Sequence, residues 1–184
     1  WLIAHELAHQ WWGNLITCKN FQHIWLNEGF ATYSEALWYE FLNGPGSANY
    51  YQMTTNLYLG EGTVYVEDPE NDNIFDSGLS YAKGSWVLHM LRHVVGDDNF
   101  FSILKTYYNS DLHQYATATT EDFQNICERV SGLYLDKFFH QWIYEELYPQ
   151  YAVDWNWSQN DHTYEVELVI RQEQENHLFW MPID

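Results

Sequence analysis

Two histidines near the start of the chain have the spacing of a metal-binding pair. His5, Glu6 and His9 lie in the run His-Glu-Leu-Ala-His, inside an apolar pattern that predicts a helix over residues 1 to about 14. Residues four apart on an α-helix are rotated by only about 40°, so both imidazoles can reach one ion. Glu6 lies beside them as a candidate general base. We therefore expect His5 and His9 to bind one metal ion.

Glu28 is the candidate third ligand. Eighteen residues separate it from His9, which leaves room for the chain to fold back, and it opens a predicted helix over 27–42. Two histidines and one carboxylate leave the fourth position of a tetrahedral zinc site open for water, as a catalytic site requires. Zinc would activate that water, and Glu6 would take its proton and pass it to a leaving amine. The pattern predicts peptide hydrolysis by metal-bound water with one Zn2+ per chain. The alternative is that these side chains are satisfied by hydrogen bonds alone.

Further polar residues lie near this constellation. Glu35 follows Glu28 by two helical turns, so it is either a partner for the far nitrogen of a ligand histidine or a plain surface carboxylate. His89 and His93 form another pair four residues apart, but no glutamate follows His89 and no third ligand is suggested. We expect a packed or solvent-facing pair there.

The hydrophobic period indicates a mainly helical chain with strands at its end. Further helices are predicted over 47–60, 79–95, 97–108, from about 119, and over 135–147. After Pro149 the period changes from 3.6 to 2, which predicts two or three antiparallel strands, the last around 179–181. We place a domain boundary near residue 150, where the period changes. These strands are too few to form an independent sheet, so we expect them to be the start of a truncated β domain.

The composition excludes several classes of protein. Of 184 residues, 46% are hydrophobic and 19% aromatic, which is typical of a packed protein and not of a disordered one. A formal charge of −19 repels phosphate backbones, so no nucleic-acid partner is expected. The chain contains no apolar run long enough for a transmembrane segment. Cys18 and Cys127 match no metal or redox spacing, and the compartment, cytoplasmic or periplasmic/secreted, stays open.

The longer motifs resemble a known family. His-Glu-Leu-Ala-His-Gln-Trp at 5–11 and Trp-Leu-Asn-Glu-Gly-Phe-Ala at 25–31 look like those of the zinc aminopeptidases typified by aminopeptidase N and leukotriene hydrolase. These belong to the thermolysin-like zinc peptidases with a glutamate third ligand. The segment 80–84, Ser-Tyr-Ala-Lys-Gly, is similar to the family's Tyr-x-Lys-Gly segment. That resemblance implies that Tyr81 stabilises the oxyanion of the tetrahedral intermediate; from its surroundings in the sequence alone, Tyr81 would be a core aromatic residue.

The resemblance also implies how the chain is organised. Residues 1–150 are expected to form the helical zinc-binding part of the catalytic domain, and 151–184 the start of a β-sandwich-like domain. The chain opens at Trp1 with no helix cap, and the family's Gly-x-Met-Glu-Asn segment, whose glutamate grips the substrate's amino group, is absent from it. We therefore expect a fragment whose amino-terminal part is missing.

Three functions are compatible with the sequence. The resemblance implies an aminopeptidase that removes amino-terminal residues from peptides. One alternative is an epoxide hydrolase relative, and the other is a noncatalytic truncated fragment that assembles with a missing lobe. Exposed apolar surface is expected on such a fragment, which predicts its self-association.

Overall fold

The structure is a computed structural model that describes residues 1–58, 60–175 and 177–183. Most of its regular structure is helical, which confirms the predicted fold class. The α-helices are α1 Leu2–Ala8, α2 Trp25–Asn43, α3 Ser47–Thr55, α4 Gly84–Val95, α5 Asp97–Tyr108, α6 Thr120–Ser131 and α7 Asp136–Phe139. A 3-10 turn covers Phe21–His23, and two π-helices cover Ser77–Lys83 and His140–Tyr144.

Four strands form two separate ladders in the described part of the chain. β1 (Ile16–Cys18) pairs in parallel with β2 (Ala116–Ala118), a small ladder that the periodicity did not predict. β3 (Tyr151–Asn160) and β4 (Thr163–Gln172) form an antiparallel hairpin of ten residue pairs. The third strand suggested around 179–181 is not formed. Phe179 instead packs against Trp142 with ring centroids 4.8 Å apart, so burial on the second π-helix takes the place of strand pairing.

α2 is the central helix of the fold. Its first three turns are buried on nearly every side, which is typical of a helix surrounded by other elements. Four aromatic rings pack against one another at this helix, with centroids 5.0 to 5.9 Å apart. They belong to Trp12, Phe30, Tyr107 and Phe123. These contacts tie α2 to α5, to α6 and to the turn after α1, so the element that carries Glu28 is rigidly held.

The first π-helix and α4 occupy the segment where one helix was predicted. Asp76 caps the π-helix, since its Oδ1 accepts from the backbone N–H groups of Gly78 and Leu79 at 2.8 and 3.0 Å. Where the π-helix passes into α4, the backbone crosses α2 closely. A Cβ placed on Gly29 would lie 2.9 Å from the carbonyl carbon of Gly84. Only glycine permits this approach, which brings the π-helix next to the start of α2.

Helix ends follow the capping signals of the sequence at some positions and not at others. The predicted start near residue 119 is confirmed, because Thr119 and Asp122 form a reciprocal capping box at α6. The predicted third helix ends at Thr55 and not near residue 60, and the predicted helix over 135–147 is divided into α7 and the second π-helix. Among the described residues, no helix combines the length and the apolar composition needed to cross a membrane.

Candidate metal centre

α1 places His5 and His9 side by side, although it is shorter than predicted. It ends at Ala8, and His9 is the residue that follows in helical conformation. The prediction of a helix to about residue 14 is wrong because the next residues form irregular turns, and there the Trp12 carbonyl accepts a hydrogen bond from His9 Nδ1 at 2.9 Å. The two imidazole rings lie 4.8 Å apart between centroids. Both rings therefore still share one face.

Glu28 completes the group from the first turn of α2. Its Oε2 lies 3.4 Å from Nε2 of His5 and 3.4 Å from Nε2 of His9. The three donor atoms lie within 4.8 Å of one another, and no other such group of three occurs in the described ranges. His5 and Glu28 are buried and His9 is half-buried, so the donors converge in a sheltered position.

The donor geometry fits zinc. A tetrahedral site with bonds of about 2.1 Å holds its ligand atoms about 3.4 Å apart. The two distances from Glu28 match that edge and are long for direct hydrogen bonds. Two imidazole nitrogens and one carboxylate oxygen are also donors that zinc accepts, and they leave a fourth direction open.

Partners on the far nitrogens fix the orientation of both rings. Glu35 Oε1 lies 2.9 Å from His5 Nδ1, so the spacing that made Glu35 a candidate partner does place it there. The hydroxyl of Tyr51 donates in turn to Glu35 Oε2 at 2.5 Å. The Trp12 carbonyl can only accept, so His9 carries its proton on Nδ1 when neutral. In both rings Nε2 is thereby directed towards Glu28.

The pKa values of His5, His9 and Glu28 are those expected at a site that binds a cation. Burial opposes ionisation of Glu28, but the adjacent imidazoles outweigh it and lower the carboxyl pKa to about 2. Burial also disfavours the charged form of His5, yet Glu28 and Glu35 raise its pKa to about 9. The contact with Glu28 raises the pKa of His9 as well. The fold therefore stabilises positive charge between these side chains.

Two further predicted residues, Glu6 and Tyr81, neighbour His5. Glu6 follows His5 on α1 and is exposed to solvent. Tyr81, on the first π-helix, stacks on His5 with ring centroids 5.9 Å apart and an angle of 18° between planes. Burial, with the charges of Glu28 and Glu6, raises the pKa of Tyr81 to about 12. Its hydroxyl thus stays protonated at neutral pH and can donate a hydrogen bond.

Sequence reasoning missed Tyr51, since no motif or spacing links it to the histidines. Only the packing of α3 on α2 brings its hydroxyl to Glu35. The second histidine pair lies elsewhere: His89 Nδ1 is 3.2 Å from the hydroxyl of Tyr33, and burial lowers the His89 pKa to about 4.

Comparison with known proteins shows which family the chain is similar to. Residues 1–142 match the Peptidase family M1 domain. The chain belongs to peptidase family M1. It is 36% identical over 160 residues to aminopeptidase N of Lactococcus lactis subsp. lactis, a match that covers 80% of this chain and 19% of the relative. The chain thus spans about a fifth of the length of the curated relatives it matches.

Solved structures of family M1 share the fold. The M1 zinc metallopeptidase of Deinococcus radiodurans superposes with a TM-score of 0.62 at 31% identity, covering 76% of this chain and 31% of the other. Aminopeptidase A of Legionella pneumophila covers 92% of this chain and 19% of its own at a TM-score of 0.77 and 20% identity, a likeness in fold alone. As a member of family M1, the chain has zinc as its cofactor.

Proposed function

We propose that this chain is the zinc-binding part of an aminopeptidase, in which His5, His9 and Glu28 hold the metal. The observation that carries the proposal is the convergence of three donor atoms within 4.8 Å of one another. Glu28 Oε2 lies 3.4 Å from each histidine Nε2, which is about the edge length of a tetrahedral zinc site. Bound zinc supplies Lewis acidity that polarises the scissile carbonyl and makes water a nucleophile near neutral pH.

Glu6 is the proposed general base. It neighbours His5 on α1 and is open to solvent, so water and substrate can both reach its carboxylate. It takes a proton from the attacking water and later delivers that proton to the departing amine. A carboxylate that is not itself a metal ligand is free to carry the proton between the two positions.

Tyr81 is the proposed oxyanion donor. Burial of its ring, and then the negative charges of Glu28 and Glu6, raise the pKa of Tyr81 to about 12, so the phenol keeps its proton at neutral pH. Its stacking on His5 places the ring beside one metal ligand. A hydrogen bond from this hydroxyl strengthens as the carbonyl oxygen gains charge, which stabilises the tetrahedral intermediate.

Glu35 and the Trp12 carbonyl support the ligands from behind. Each engages Nδ1 of one histidine at 2.9 Å, which leaves Nε2 as the donor to the metal. An acceptor on Nδ1 also makes the imidazole a more basic ligand. These two acceptors fix the orientation of both imidazole rings before any metal ion binds.

Peptides are the proposed substrate class, cleaved at their amino terminus. The curated relatives are aminopeptidases, and a variant of the Deinococcus radiodurans relative was crystallised with a Tyr-Ser-Ala substrate. We also propose the division of the chain into a zinc-binding helical part, 1–150, and the start of a β-sandwich-like domain, 151–184. The hairpin supports that division, since apolar side chains on it lie exposed and suit a larger sheet.

Zinc content tests the proposal directly. The wild-type chain, His5→Ala and the hairpin control His162→Ala would be passed through gel filtration in zinc-supplemented buffer and analysed for metal. We expect about one zinc per chain in the wild type and the control, and a large loss in His5→Ala. Hydrolysis of an aminoacyl p-nitroanilide by the zinc-loaded wild type then tests the activity. A folded wild type without zinc would contradict the metal site, and zinc without hydrolysis would favour the noncatalytic alternative.

A further inference from the structure

Lys83 is a buried cation that the proposed mechanism does not use. It ends the first π-helix, two residues after Tyr81, and only 1% of its surface is exposed. Lysine is almost never buried to this degree, because removing an ammonium group from water is costly unless the protein replaces its hydrogen bonds. The position therefore requires an explanation from its partners.

The surroundings of the Lys83 Nζ atom are complete without a ligand. It donates to the carbonyl oxygens of Glu145 at 2.7 Å and Gly62 at 3.0 Å, and it lies 4.7 Å from the centroid of the Tyr58 ring. Two carbonyls and one aromatic face account for the three N–H directions of an ammonium group. Lys83 is thus a connection within the protein and not a binding site.

This connection holds under both protonation states of the lysine. Burial lowers the pKa of Lys83 to about 7, against the opposing charges of Glu146 and Glu145. A neutral amine keeps two N–H groups, enough for its two carbonyl acceptors. The bridge therefore does not depend on the charge alone.

Lys83 joins three segments that are distant in sequence. The Gly62 loop is already paired with the end of the second π-helix and the residues after it, since Val64 N donates to the Ile143 carbonyl at 3.1 Å and Gly62 N to Glu146 Oε2 at 3.2 Å. Lys83 adds the first π-helix to that pair. The next residue, Gly84, makes the close contact with Gly29 that brings the same π-helix next to α2.

We propose that Lys83 is a positioning residue: by bridging the Gly62 and Glu145 carbonyls, it fixes the π-helix that carries Tyr81 and so orients the Tyr81 hydroxyl towards the metal centre. A π-helix is rare and is frequently found at functional sites. The contact of Gly84 with Gly29 sets the distance to α2, and Lys83 attaches the end of the π-helix to the Gly62 and Glu145 carbonyls. This inference rests on the proposed function of Tyr81.

The first test observes Tyr81 without any reaction. 3-Fluorotyrosine would be placed at position 81 of the full chain and followed by 19F NMR in the wild type, in Lys83→Met and in the exposed-lysine control Lys137→Met. We expect one sharp resonance in the wild type and the control, and loss of that single resonance by splitting or broadening in Lys83→Met. A folded Lys83→Met whose resonance matches the control would overturn the proposal.

The second test uses hydrolysis by the zinc-loaded chain. If Tyr81 is misplaced by about 1 Å, kcat should fall roughly 10- to 100-fold while KM changes less than about twofold. Equal kcat in Lys83→Met and the control would count against a positioning role. If the wild type itself does not hydrolyse peptides, the proposed function fails, whereas the 19F comparison still decides whether Lys83 orients Tyr81.

Loss of folding is monitored by circular dichroism in each variant. If Lys83→Met does not fold, the same 19F comparison is made with Lys83→Gln, which is polar but too short to reach both carbonyls. A split or broadened signal in folded Lys83→Gln would support the proposal. Unfolding of both variants would overturn it in favour of a lysine needed only for the fold.

Discussion

The helical part and the β3–β4 hairpin use the same residue types in opposite ways. Trp25 on α2 is fully buried, whereas Trp155 on β3 is 67% exposed. Phe123 in the helical part meets rings on α2, α5 and α7. Trp157 on the hairpin contacts only Tyr164 of the neighbouring strand among the ring pairs of the described residues. An aromatic-rich sequence thus makes a core only where several elements supply partners.

The proposed metal site also lies in the helical part and not on the hairpin. Every proposed ligand and catalytic residue lies between residues 5 and 81, on elements that the aromatic core holds. The segment that follows the hairpin is attached to the helical part. Phe179 packs on Trp142, and Gln141 forms hydrogen bonds with the backbone of Leu178 and Trp180. A two-stranded hairpin is marginal by itself, so changes in the two regions should have very different consequences.

The largest expected contrast is in catalysis. Glu6→Gln should keep zinc and lower kcat by about 10²- to 10⁴-fold, because it removes the proposed proton acceptor without removing a ligand. Glu167→Gln, the same change on the hairpin, should leave kcat near that of the wild type. Steady-state hydrolysis and metal analysis of both variants check this. A Glu6→Gln variant with full activity would exclude Glu6 as the base.

The next contrast is in stability. Phe123 is fully buried and contacts rings on α2, α5 and α7, so Phe123→Ala should cost about 3–5 kcal/mol of unfolding free energy. Trp157→Ala on the hairpin should cost less than about 1 kcal/mol, since it loses mainly one cross-strand contact. Urea unfolding followed by circular dichroism measures both. Similar losses in the two variants would show that the hairpin belongs to the same cooperative core.

A smaller effect should appear in the pH dependence of stability. Burial first, and then the charge of Arg92, lowers the His89 pKa to about 4 from about 6.5 in the unfolded chain. Between these values the unfolded state binds more protons, so the free energy of unfolding should fall as pH decreases from about 6.5 to about 4. With partial exposure the contribution is on the order of 2 kcal/mol. Unfolding curves of the wild type and His89→Gln test this, and the variant should show the shallower pH dependence. Equal slopes would contradict the assignment to His89.

The smallest expected effect concerns self-association, which stays a prediction. The outer face of α1 exposes Ile3 and Leu7 beside an apolar groove of about 850 Å³, and such surfaces favour association. Ile3→Ser should weaken self-association about tenfold, a change of about 1.4 kcal/mol that matches the burial of one aliphatic side chain. Trp155→Ser tests the hairpin in the same way. Sedimentation would compare the variants, and a wild type that is monomeric at high concentration would contradict the prediction.

Much of the fold could be predicted because it depends on local signals. The central helix over 27–42, the helix after Gly96 and the capping box at Thr119 all follow from period and caps, and the structure has them. The early end of α1, the two π-helices and the parallel ladder of β1 with β2 could not be predicted. The two π-helices and the ladder depend on partners far away in the sequence, such as the approach of Gly84 to Gly29. The early end of α1 comes instead from the turns that directly follow it.

By itself, the sequence determined the kinds of donor at the site: two imidazoles one helical turn apart, a neighbouring carboxylate, and a second carboxylate on a later helix. These are consequences of helical geometry, which acts over a few residues. Tertiary structure alone decided that Glu28 Oε2 lies 3.4 Å from both Nε2 atoms, that Tyr51 supports Glu35, and that Lys83 bridges two loops behind Tyr81. These contacts join elements whose separation in the chain says nothing about distance, and only the packing around α2 brings them together.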